Sequence, residues 1–387
     1  MSEARGVLRV GIAGLGFGAE FVPIYLHHPA VAEVWVCDAD RAVLENTVDR
    51  YGTVHAVSTL DELLDADIDA VHLVTPIPLH AEHAVRVLES GKHCACTVPM
   101  ATTLDDIRKI IEARKRSGKQ YMMMETAVYT REFLYVQEMV QKGEVGRIQF
   151  LRGAHYQDME GWPPYWKGLP PMHYATHAIA PLLQIANARA TEVHCYGSGV
   201  MRDELVAAYG NPYPAETAIF RLEQLSGDSP GWSGPLAAEV TRTLFHTARS
   251  YTESFNVYGE RATFEWQQIE EEDPIVFRMQ GSRGGRGNSV DFRRIQTPDV
   301  LDHLPEEIRR FTRRGVYDQS NPHKSFLQGG GHGGSHPHLV HEFVSAIAAE
   351  RAPSVDDIAG ARITAAGISA HESARANGAR IDIPDFV

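Results

Sequence analysis

The chain has 387 residues, 43% of them hydrophobic and 22% charged, which suits a globular protein with room for two domains. The net charge of −13 argues against a nucleic-acid-binding surface, because phosphate recognition requires clustered lysine and arginine. The apolar stretches are too short and too interrupted to span a bilayer, and the polar first six residues lack the features of a signal peptide.

The cysteines indicate a reducing environment. The chain has four: Cys37, Cys94, Cys96 and Cys195. They form neither a disulfide framework nor a CxxC pair. We therefore expect a cytoplasmic protein with neither a nucleic acid nor a membrane as its partner.

The first predicted element is an apolar strand, residues 7–12, followed at once by a glycine-rich turn. The turn fits the pattern G-x-G-x-x-G/A, and its candidate cofactor-binding residues are Gly14, Gly16, Phe17 and Gly18. Gly14 permits the tight turn, Gly16 lets the backbone approach a pyrophosphate, and Ala19 is expected to keep the next helix close to the sheet. Taken alone, the pattern would also fit a purely structural turn.

An acidic residue follows the second predicted strand, residues 34–37. Asp38 lies 24 residues after Gly14, where a carboxylate can accept a hydrogen bond from a ribose 2′-hydroxyl and would repel a 2′-phosphate. The spacing therefore predicts NAD rather than NADP. The alternative interpretation of Asp38 is a turn residue.

Three further strands are predicted, each ending in polar residues or a proline. They cover residues 68–76, 92–97 and 121–124, and the candidate cofactor contacts at their ends are Thr75, Pro76, Thr97, Val98 and Glu125. Open α/β sheets bind ligands at the carboxyl ends of their strands. Helical spacing over residues 79–90, and a cap at Thr103 with Asp106 three residues on, complete a strand–helix alternation. The pattern predicts an α/β chain that begins with a doubly wound parallel sheet, the Rossmann fold.

These motifs together resemble the Gfo/Idh/MocA oxidoreductase family. The matching pieces are Gly14-Leu15-Gly16, Asp38, Thr75-Pro76 with His80, and Glu89-Ser90-Gly91-Lys92-His93. The resemblance implies that His80 is a further candidate cofactor contact. The family usually continues with Glu-Lys-Pro, where this chain has Thr97-Val98-Pro99. It often carries Asp-x-x-x-His, where this chain has His173 and His177. Since the lysine moves a hydroxyl proton in the family's sugar dehydrogenases, both departures disfavour an ordinary polyol dehydrogenase.

A narrower resemblance is to the NAD-dependent glycosidases of the α-N-acetylgalactosaminidase type. The matching stretches are Met124-Glu125-Thr126-Ala127-Val128-Tyr129, Gly153-Ala154-His155-Tyr156-Gln157-Asp158, Tyr174-Ala175-Thr176-His177 and Gly331-His332-Gly333-Gly334. Those enzymes also have Val-Pro where the wider family has Lys-Pro, as this chain does at Val98-Pro99. The last stretch continues with Met-Asp in those enzymes and with Ser335-His336 here, so the sugar stays open. A related group of NAD-dependent glycosidases acts on sulfoquinovosides.

The resemblance implies a reaction that recycles NAD. Hydride leaves C3 of the sugar, the C2 proton is removed, the anomeric substituent is eliminated, water adds, and hydride returns. His177 is the first catalytic candidate, handling the C3 hydroxyl proton. Tyr156 is the second, as base or acid at C2, where a tyrosine needs a nearby positive charge or hydrogen bond. The simpler alternatives are a capped, buried helix histidine and an ordinary strand tyrosine.

Other residues are candidate substrate contacts. They are Tyr129, His173, Tyr174 and His332. If their segment is helical, His173 and His177 share one helix face at i, i+4 spacing. The tryptophan-rich segment 162–166 is interpreted either as a sugar-stacking lip or as a packed aromatic loop.

Two clusters permit alternative interpretations. A histidine-rich run comprises His323, His332, His336, His338 and His341. A metal site would suit imidazoles, but the chain has no HExxH or CxxC element, so we predict no metal and expect surface positions for His338 and His341. An arginine cluster comprises Arg283, Arg286, Arg293 and Arg294. It would suit an anionic sugar or a solvated strand edge.

The remaining chain contains strand-like runs, namely residues 147–152, 192–196, 215–222, 238–245, 255–258 and 262–266. They predict an α+β domain with a large, mostly antiparallel open sheet. We expect an NAD-binding domain over residues 1–126. Residues 127–387 are expected to bind substrate and to form a homo-oligomer (dimer or tetramer), with C-terminal helices able to pack back on the first domain.

The function predicted from these residues is an NAD-dependent glycosidase. A sulfoquinovoside is the first expected substrate and an N-acetylgalactosaminide the second. The alternatives are an NAD-dependent sugar dehydrogenase or reductase, which would form net NADH, and a non-catalytic NAD-binding regulator.

Overall fold

The computed structural model describes residues 7–225, 232–249, 251–266, 269, 272–281, 286–313 and 331–387. The chain divides into two compact units. The first comprises Met1–Tyr129 and Asp299–Ala361, and the second comprises Thr130–Pro298 and Arg362–Val387. The domain boundary expected after residue 126 stays a prediction. Arg283 and His323 lie outside the described residues.

The first part of the chain alternates strands and helices as predicted. The strands are β1 (Leu8–Ala13), β2 (Val31–Cys37), β3 (His55–Val57), β4 (Ala70–Leu73), β5 (His93–Thr97) and β6 (Tyr121–Met124). The helices are α1 (Leu15–Gly18), α2 (Val22–His27), α3 (Arg41–Tyr51), α4 (Leu60–Asp65), α5 (His80–Glu89) and α6 (Leu104–Ser117). All six strands are parallel, in the order β3-β2-β1-β4-β5-β6. This confirms the doubly wound sheet, with its switch point between β1 and β4.

Local signals set most of these boundaries. The Thr103 hydroxyl accepts a hydrogen bond from the Asp106 amide at 3.1 Å and begins α6 as predicted. The helix expected after the glycine turn is interrupted, since α1 has four residues and α2 begins at Val22. Pro23 lies in the first turn of α2, where a missing amide hydrogen leaves no helical bond unmade.

The second part is built around one large sheet. Its elements in chain order are α7 (Arg131–Gln141), β7 (Ile148–Tyr156), α8 (Thr176–Ala186), β8 (Ala188–Ser198), α9 (Asp203–Tyr209), β9 (Ala215–Gln224), β10 (Leu236–Thr243), β11 (Thr252–Gly259), β12 (Ala262–Glu265), β13 (Ile275–Met279) and β14 (Val290–Arg294). The C-terminal elements are α10 (Glu306–Arg309), α11 (Gly331–Gly334), α12 (His336–Ala348), α13 (Asp357–Arg375) and β15 (Ile381–Asp382). Short 3-10 turns cover Ile77–Leu79, Thr126–Val128, Pro164–Trp166, Pro171–Tyr174 and Arg310–Thr312.

The nine strands have the order β14-β13-β12-β11-β7-β10-β9-β8-β15. Strands β7 and β10 pair in parallel, and the other neighbours are antiparallel. This confirms the predicted mostly antiparallel sheet. Helix α8 packs on the face of β7, β10 and β11, and a Cβ on Gly153 would lie 2.2 Å from the Ala178 carbonyl oxygen. Among the described residues, no helix combines the length and apolarity needed to cross a membrane.

The core of the first unit joins the parallel sheet to α12. Val10 and Ile12 of β1 are fully buried in one cluster with Leu339 and Phe343 of α12. Apolar residues at i and i+4 face the same side of a helix, so this spacing directs α12 toward the sheet.

A chain of neutral histidines ties α12 to the start of β2. The Ala30 amide donates to Nδ1 of His28 at 3.2 Å, so Nε2 of His28 carries the hydrogen that it donates to Nδ1 of His341 at 3.0 Å. His341 in turn bonds the backbone of His303. His28 is buried, as is His338, whose Nδ1 lies 2.9 Å from Nε2 of His303. The expectation that His338 lies on the surface is wrong, because it helps to fill this packed layer.

We expect this histidine chain to make the first unit less stable in mild acid. Burial lowers the pKa of His28 to about 4 from 6.5, so the folded form stays neutral while the unfolded chain takes up a proton. The stabilisation is complete above pH 6.5, is lost as the pH falls from 6.5 to 4, and totals about 3 kcal/mol. Hydrogen exchange of β1 and β4 peptides across this range measures the opening free energy. Its pH slope should be about one proton smaller in His28→Asn, and an unchanged slope would contradict the assignment.

Candidate functional site

The glycine turn after β1 has the geometry that a dinucleotide requires. Gly14 has φ +90°, and a Cβ there would lie 2.4 Å from the Val74 carbonyl oxygen. A Cβ on Gly16 would meet nothing within 4 Å, so this stretch of backbone is open to a ligand. A Cβ on Gly18 would lie 3.2 Å from Ile12 and Val74. Gly18 thus keeps the turn close to the sheet, and the role of Ala19 in bringing the next helix close stays a prediction.

Asp38 is bonded to the glycine turn itself. Its Oδ2 accepts a hydrogen bond from the Leu15 amide at 2.7 Å, and its Oδ1 accepts one from the Asp40 amide at 2.8 Å. The side chain is half-buried. These two hydrogen bonds to backbone amides are what the alternative interpretation of Asp38, a turn residue, predicts. A carboxylate oxygen can accept more than one hydrogen bond, so a ribose contact stays compatible with them and stays a prediction.

His80 braces the ends of two neighbouring strands. Its Nε2 lies 2.7 Å from the Thr75 carbonyl oxygen and its Nδ1 lies 2.8 Å from the Pro99 carbonyl oxygen. Burial lowers the pKa of His80, although both carbonyls favour its protonated form. The contact fixes the loops that carry Thr75 and the Thr97-Val98 pair. Direct contact of His80 with a cofactor stays a prediction.

Glu125 and Tyr129 follow β6. Glu125 is fully buried, and its Oε1 accepts a hydrogen bond from the Ala127 amide at 3.0 Å, which begins the 3-10 turn Thr126–Val128. The Tyr129 hydroxyl bonds the Ser354 hydroxyl, and its ring stacks on His338 with centroids 6.4 Å apart. Burial raises the pKa of Tyr129 well above its usual value.

His332 lies against the glycine turn. Its ring centre is 6.2 Å from that of Phe17 and 5.8 Å from that of His336. Beside them, Glu20 is mostly buried, and this burial raises its pKa to about 7. His332 has φ +47°, and its neighbours Gly333 and Gly334 also have positive φ, so α11 is a sharp turn rather than a regular helix. Its predicted substrate contact stays a prediction.

Together, the glycine turn, Asp38, Thr75, Thr97 and Glu125 lie at the carboxyl ends of the parallel strands of one sheet. These residues fit a dinucleotide, because open backbone approaches the switch point and a carboxylate stands at the end of β2. Gly14, Gly16 and Asp38 are the residues that would hold NAD.

We expect Gly14→Ala to weaken NAD binding at least 10-fold. An alanine at φ +90° is strained by about 1–2 kcal/mol, and its Cβ would push the turn away from Val74. Gly118→Ala is the matched control, since Gly118 has φ +67° at the end of α6 and open space around it. NADH fluorescence titration compares the two. Equal affinities in both variants would contradict a cofactor role for the turn.

The second unit contains a buried acid–base cluster around His177. His177 and Glu253 are both at most 5% exposed, and Nδ1 of His177 lies 3.4 Å from Oε1 of Glu253. The Tyr251 hydroxyl donates to Oε2 of Glu253 at 2.6 Å, and burial together with this carboxylate raises the pKa of Tyr251. Glu253 thus orients His177 and would balance the charge of its imidazolium.

Two more rings complete this cluster. The His155 ring centre lies 5.3 Å from those of His177 and Tyr251, and the Tyr174 ring centre lies 5.4 Å from that of His177. The structure therefore brings together the predicted residues His177 and Tyr174. It also adds His155, Tyr251 and Glu253, which the sequence analysis did not select. The sequence feature that could have indicated Glu253 is a single carboxylate within a strand whose other residues are apolar or neutral.

A buried arginine lies beneath the cluster. Arg242 is fully buried and donates to the carbonyl oxygens of Tyr174 at 2.9 Å and of His155 at 3.0 Å. It also donates to Oε1 of Gln157 at 3.0 Å. Its guanidinium carbon lies 5.4 Å from the Tyr174 ring centre, a cation–π contact. Burial lowers the pKa of Arg242 to about 10, so it stays a cation at neutral pH.

Tyr156 lies on the opposite side of β7 from His155. Successive strand residues point to opposite faces, and the buried series Leu151, Gly153 and His155 faces α8. The structure therefore does not bring the Tyr156 side chain to His177 through this strand. Arg249 lies over its ring, with the guanidinium carbon 5.6 Å from the ring centre, and supplies the positive charge expected for such a tyrosine. Its role at C2 stays a prediction.

His173 lies in the 3-10 turn Pro171–Tyr174, and α8 begins only at Thr176. The expectation that His173 and His177 share one face of a continuous helix is therefore wrong, because the chain changes conformation at Ala175. His173 instead contacts His371, with ring centres 5.1 Å apart.

The aromatic segment has an exposed and a buried part. Trp162 is 47% exposed, whereas Trp166 is buried between Trp162 and Tyr174, with ring centres 6.0 and 4.7 Å away. The described arginines of the cluster lie on or near β14, the outermost strand, where every residue is exposed. Arg294 pairs with Glu272 at 2.7 Å. These positions agree with the interpretation of the arginine cluster as a solvated strand edge.

The fold and the glycine turn define an oxidoreductase-type cofactor unit. Residues 8–125 match the family model described as "Oxidoreductase family, NAD-binding Rossmann fold", named GFO_IDH_MocA. This segment is therefore an NAD-binding domain of the Gfo/Idh/MocA family, which confirms the resemblance and the cofactor that the sequence predicted.

The chain is also similar to curated glycosidases. A glycosyl hydrolase family 109 protein of Shewanella baltica and an α-N-acetylgalactosaminidase of Shewanella oneidensis are each 30% identical to it over 247 residues. The alignments cover 57% of this chain and 54% of each relative, so the chain spans about half the length of these relatives. A levoglucosan dehydrogenase in complex with NADH has a similar structure, with TM-score 0.75, 20% identity and coverage of 98% of this chain and 100% of that one. This likeness shows the fold alone.

Proposed function

We propose that this protein is an NAD-dependent glycosidase. The observation that carries the proposal is the buried His177–Glu253 pair, with Tyr174 and Tyr251 beside it, in a chain whose other unit is an NAD-binding domain. A histidine backed by a carboxylate is suited to take and return a proton near neutral pH. The similarity to family 109 glycosidases supports the same assignment.

NAD and three groups of this chain have proposed tasks. NAD, when bound to the first unit, would supply the hydride acceptor at C3 and return that hydride at the end, so that no net NADH forms. His177 takes the proton of the C3 hydroxyl and later gives it back. A tyrosine, either Tyr174 of the cluster or Tyr156 on the other side of β7, exchanges the proton at C2 and at the departing glycosidic oxygen. Arg242 keeps the Tyr174 backbone and ring in place.

The identity of the sugar is a second part of the proposal. Of the two predicted substrates, the name of the Shewanella oneidensis relative supports an N-acetylgalactosaminide. A sulfoquinovoside would need a cationic pocket, and Arg293 and Arg294 lie four strands from β7, about 19 Å at the usual strand spacing. We therefore place the N-acetylgalactosaminide first in the test and keep the sulfoquinovoside.

A cytoplasmic homo-oligomer, a dimer or a tetramer, also stays a proposal. The outer face of the large sheet carries exposed apolar side chains, among them Phe150, stacked on Tyr258 at 4.0 Å, and Ile219. Such a face is suited to pairing with a second copy.

The alternative is an NAD-dependent sugar dehydrogenase. A buried valine, Val98, stands where the dehydrogenases of the family carry a lysine, which counts against it. The experiment incubates the protein with NAD and aryl glycosides of both sugars in D₂O. Released sugar with deuterium at C2 and no net NADH supports the glycosidase. Net NADH with an intact glycoside would instead identify a dehydrogenase. If no glycoside in the panel reacts, the result would favour a non-catalytic NAD-binding regulator.

A further inference from the structure

A second carboxylate–histidine pair lies beneath the 3-10 turn Pro171–Tyr174 in the second unit. Glu216 of β9 is fully buried, and both its oxygens are bonded. Oε1 lies 2.6 Å from Nδ1 of His371, and Oε2 accepts a hydrogen bond from the Met172 amide at 2.8 Å. One carboxylate therefore holds α13, through His371, and also the residue immediately before His173.

Helix α13 approaches this turn too closely to allow a side chain. A Cβ on Gly367 would lie 2.1 Å from the Met172 carbonyl oxygen. Gly367 and His371 are four residues apart and so lie on one face of α13. The His371 ring meets the His173 ring edge-on, with an angle of 79° between the ring planes. The backbone and the ring of His173 are thus held from the same side.

His173 and His177 have different direct neighbours. A carboxylate, Glu253, accompanies His177, whereas an imidazole, His371, accompanies His173. The buried Nδ1 of His173 has no hydrogen-bond partner among the residues that the structure describes. Burial and His371 lower the pKa of His173 to about 3. The charged groups that reach this turn are Glu216, which accepts a hydrogen bond from the Met172 amide, and Arg242 of β10, which donates one to the Tyr174 carbonyl oxygen.

We propose that His173 is a catalytic hydrogen-bond donor that acts on the C3 oxygen of the sugar as a neutral imidazole, and that Glu216 and His371 are its positioning residues. This rests on the proposed function. When the base takes the C2 proton of the C3 ketone, the electron pair of that bond moves onto the C3 oxygen. It then returns to expel the substituent at C1, which leaves with a proton. A neutral N–H donor stabilises the oxyanion between these steps and keeps its own proton.

The first test needs no sugar. In protein labelled with ¹⁵N-histidine, the His173 resonance, identified by its loss in His173→Gln, should report a neutral ring from pH 8 to pH 5. In His371→Asn the pKa of the His173 ring should rise, because the neighbouring imidazole no longer opposes its charge. His194→Gln, an exposed histidine on β8, is the control and should leave the His173 signal unchanged. A parent His173 that titrates near pH 6.5 would overturn the proposal.

The second test separates the chemical steps with NAD and a glycoside that the parent protein cleaves. His173→Gln should form transient NADH within about 3-fold of the parent rate but lose about 100-fold in deuterium incorporation at C2. Equal losses in both steps would overturn the role at the oxyanion. A parent that acts on no glycoside would count against the proposed function, while the ¹⁵N measurement would still decide whether His173 is the neutral donor.

Discussion

Replacing His177 with alanine should reduce glycoside turnover by about 1,000-fold, the range expected for loss of a general acid–base group. His177 is 3% exposed and stands at the centre of the cluster, within 5.4 Å of the rings of His155 and Tyr174. Removing the imidazole leaves no group in this position that can take the C3 hydroxyl proton. NAD binding should be unchanged, because the glycine turn belongs to the first unit. The measurement is steady-state turnover together with NADH titration.

Glu253→Gln tests whether the carboxylate acts through His177. We expect about a 100-fold loss from Glu253→Gln, since an amide can orient the ring but cannot balance an imidazolium. The double variant should lose no more than His177→Ala alone, because the two residues act as one unit. Glu239→Gln is the matched control, a partly exposed carboxylate on β10 that pairs with Arg152. A His177→Ala variant that keeps a tenth of the parent activity would place the chemistry elsewhere.

The cofactor unit was predictable because its signals are local. Each buried strand is a short apolar run that ends at a residue with a conformational or chemical requirement, such as Gly14, Asp38 or Thr75. The exceptions are the strands that lack this signal. Strand β3 has three residues and is mostly exposed, and in the second unit every residue of β14 is exposed, so neither shows the alternation that marks a half-buried strand.

The acid–base cluster was predictable only in part, because it is assembled by sheet topology. His177 and Tyr174 belong to one motif, whereas Glu253 and Arg242 come from β11 and β10, which flank β7 in the sheet. No sequence spacing indicates that these strands become neighbours of β7. A shift of one residue along β7 also exchanges the faces of the sheet. The motif pointed to Tyr156, and the side chain that the strand directs toward α8 is that of His155.

Arg242→Met should destabilise the second unit by about 3–5 kcal/mol, the cost of removing one partner from a buried charged network. Methionine keeps much of the volume but donates no hydrogen bond, so the carbonyl oxygens of Tyr174 and His155 lose their guanidinium donor. Arg242→Lys should also be destabilising, because a single ammonium cannot reach the divergent oxygens that the planar guanidinium bonds.

The measurement of Arg242→Met is urea unfolding followed by tryptophan fluorescence in a Trp35→Phe background. Trp35 is the tryptophan of the first unit, and the other four belong to the second, so the remaining emission reports the second unit. Arg152→Met is the matched control. Arg152 lies on the outer face of β7, 49% exposed and paired with Glu239 at 3.2 Å, so its loss should cost less than about 1 kcal/mol. Similar unfolding midpoints for the two variants would mean that Arg242 is not the donor that holds Tyr174 and His155. Other contacts would then have to hold Tyr174 in place beside His177.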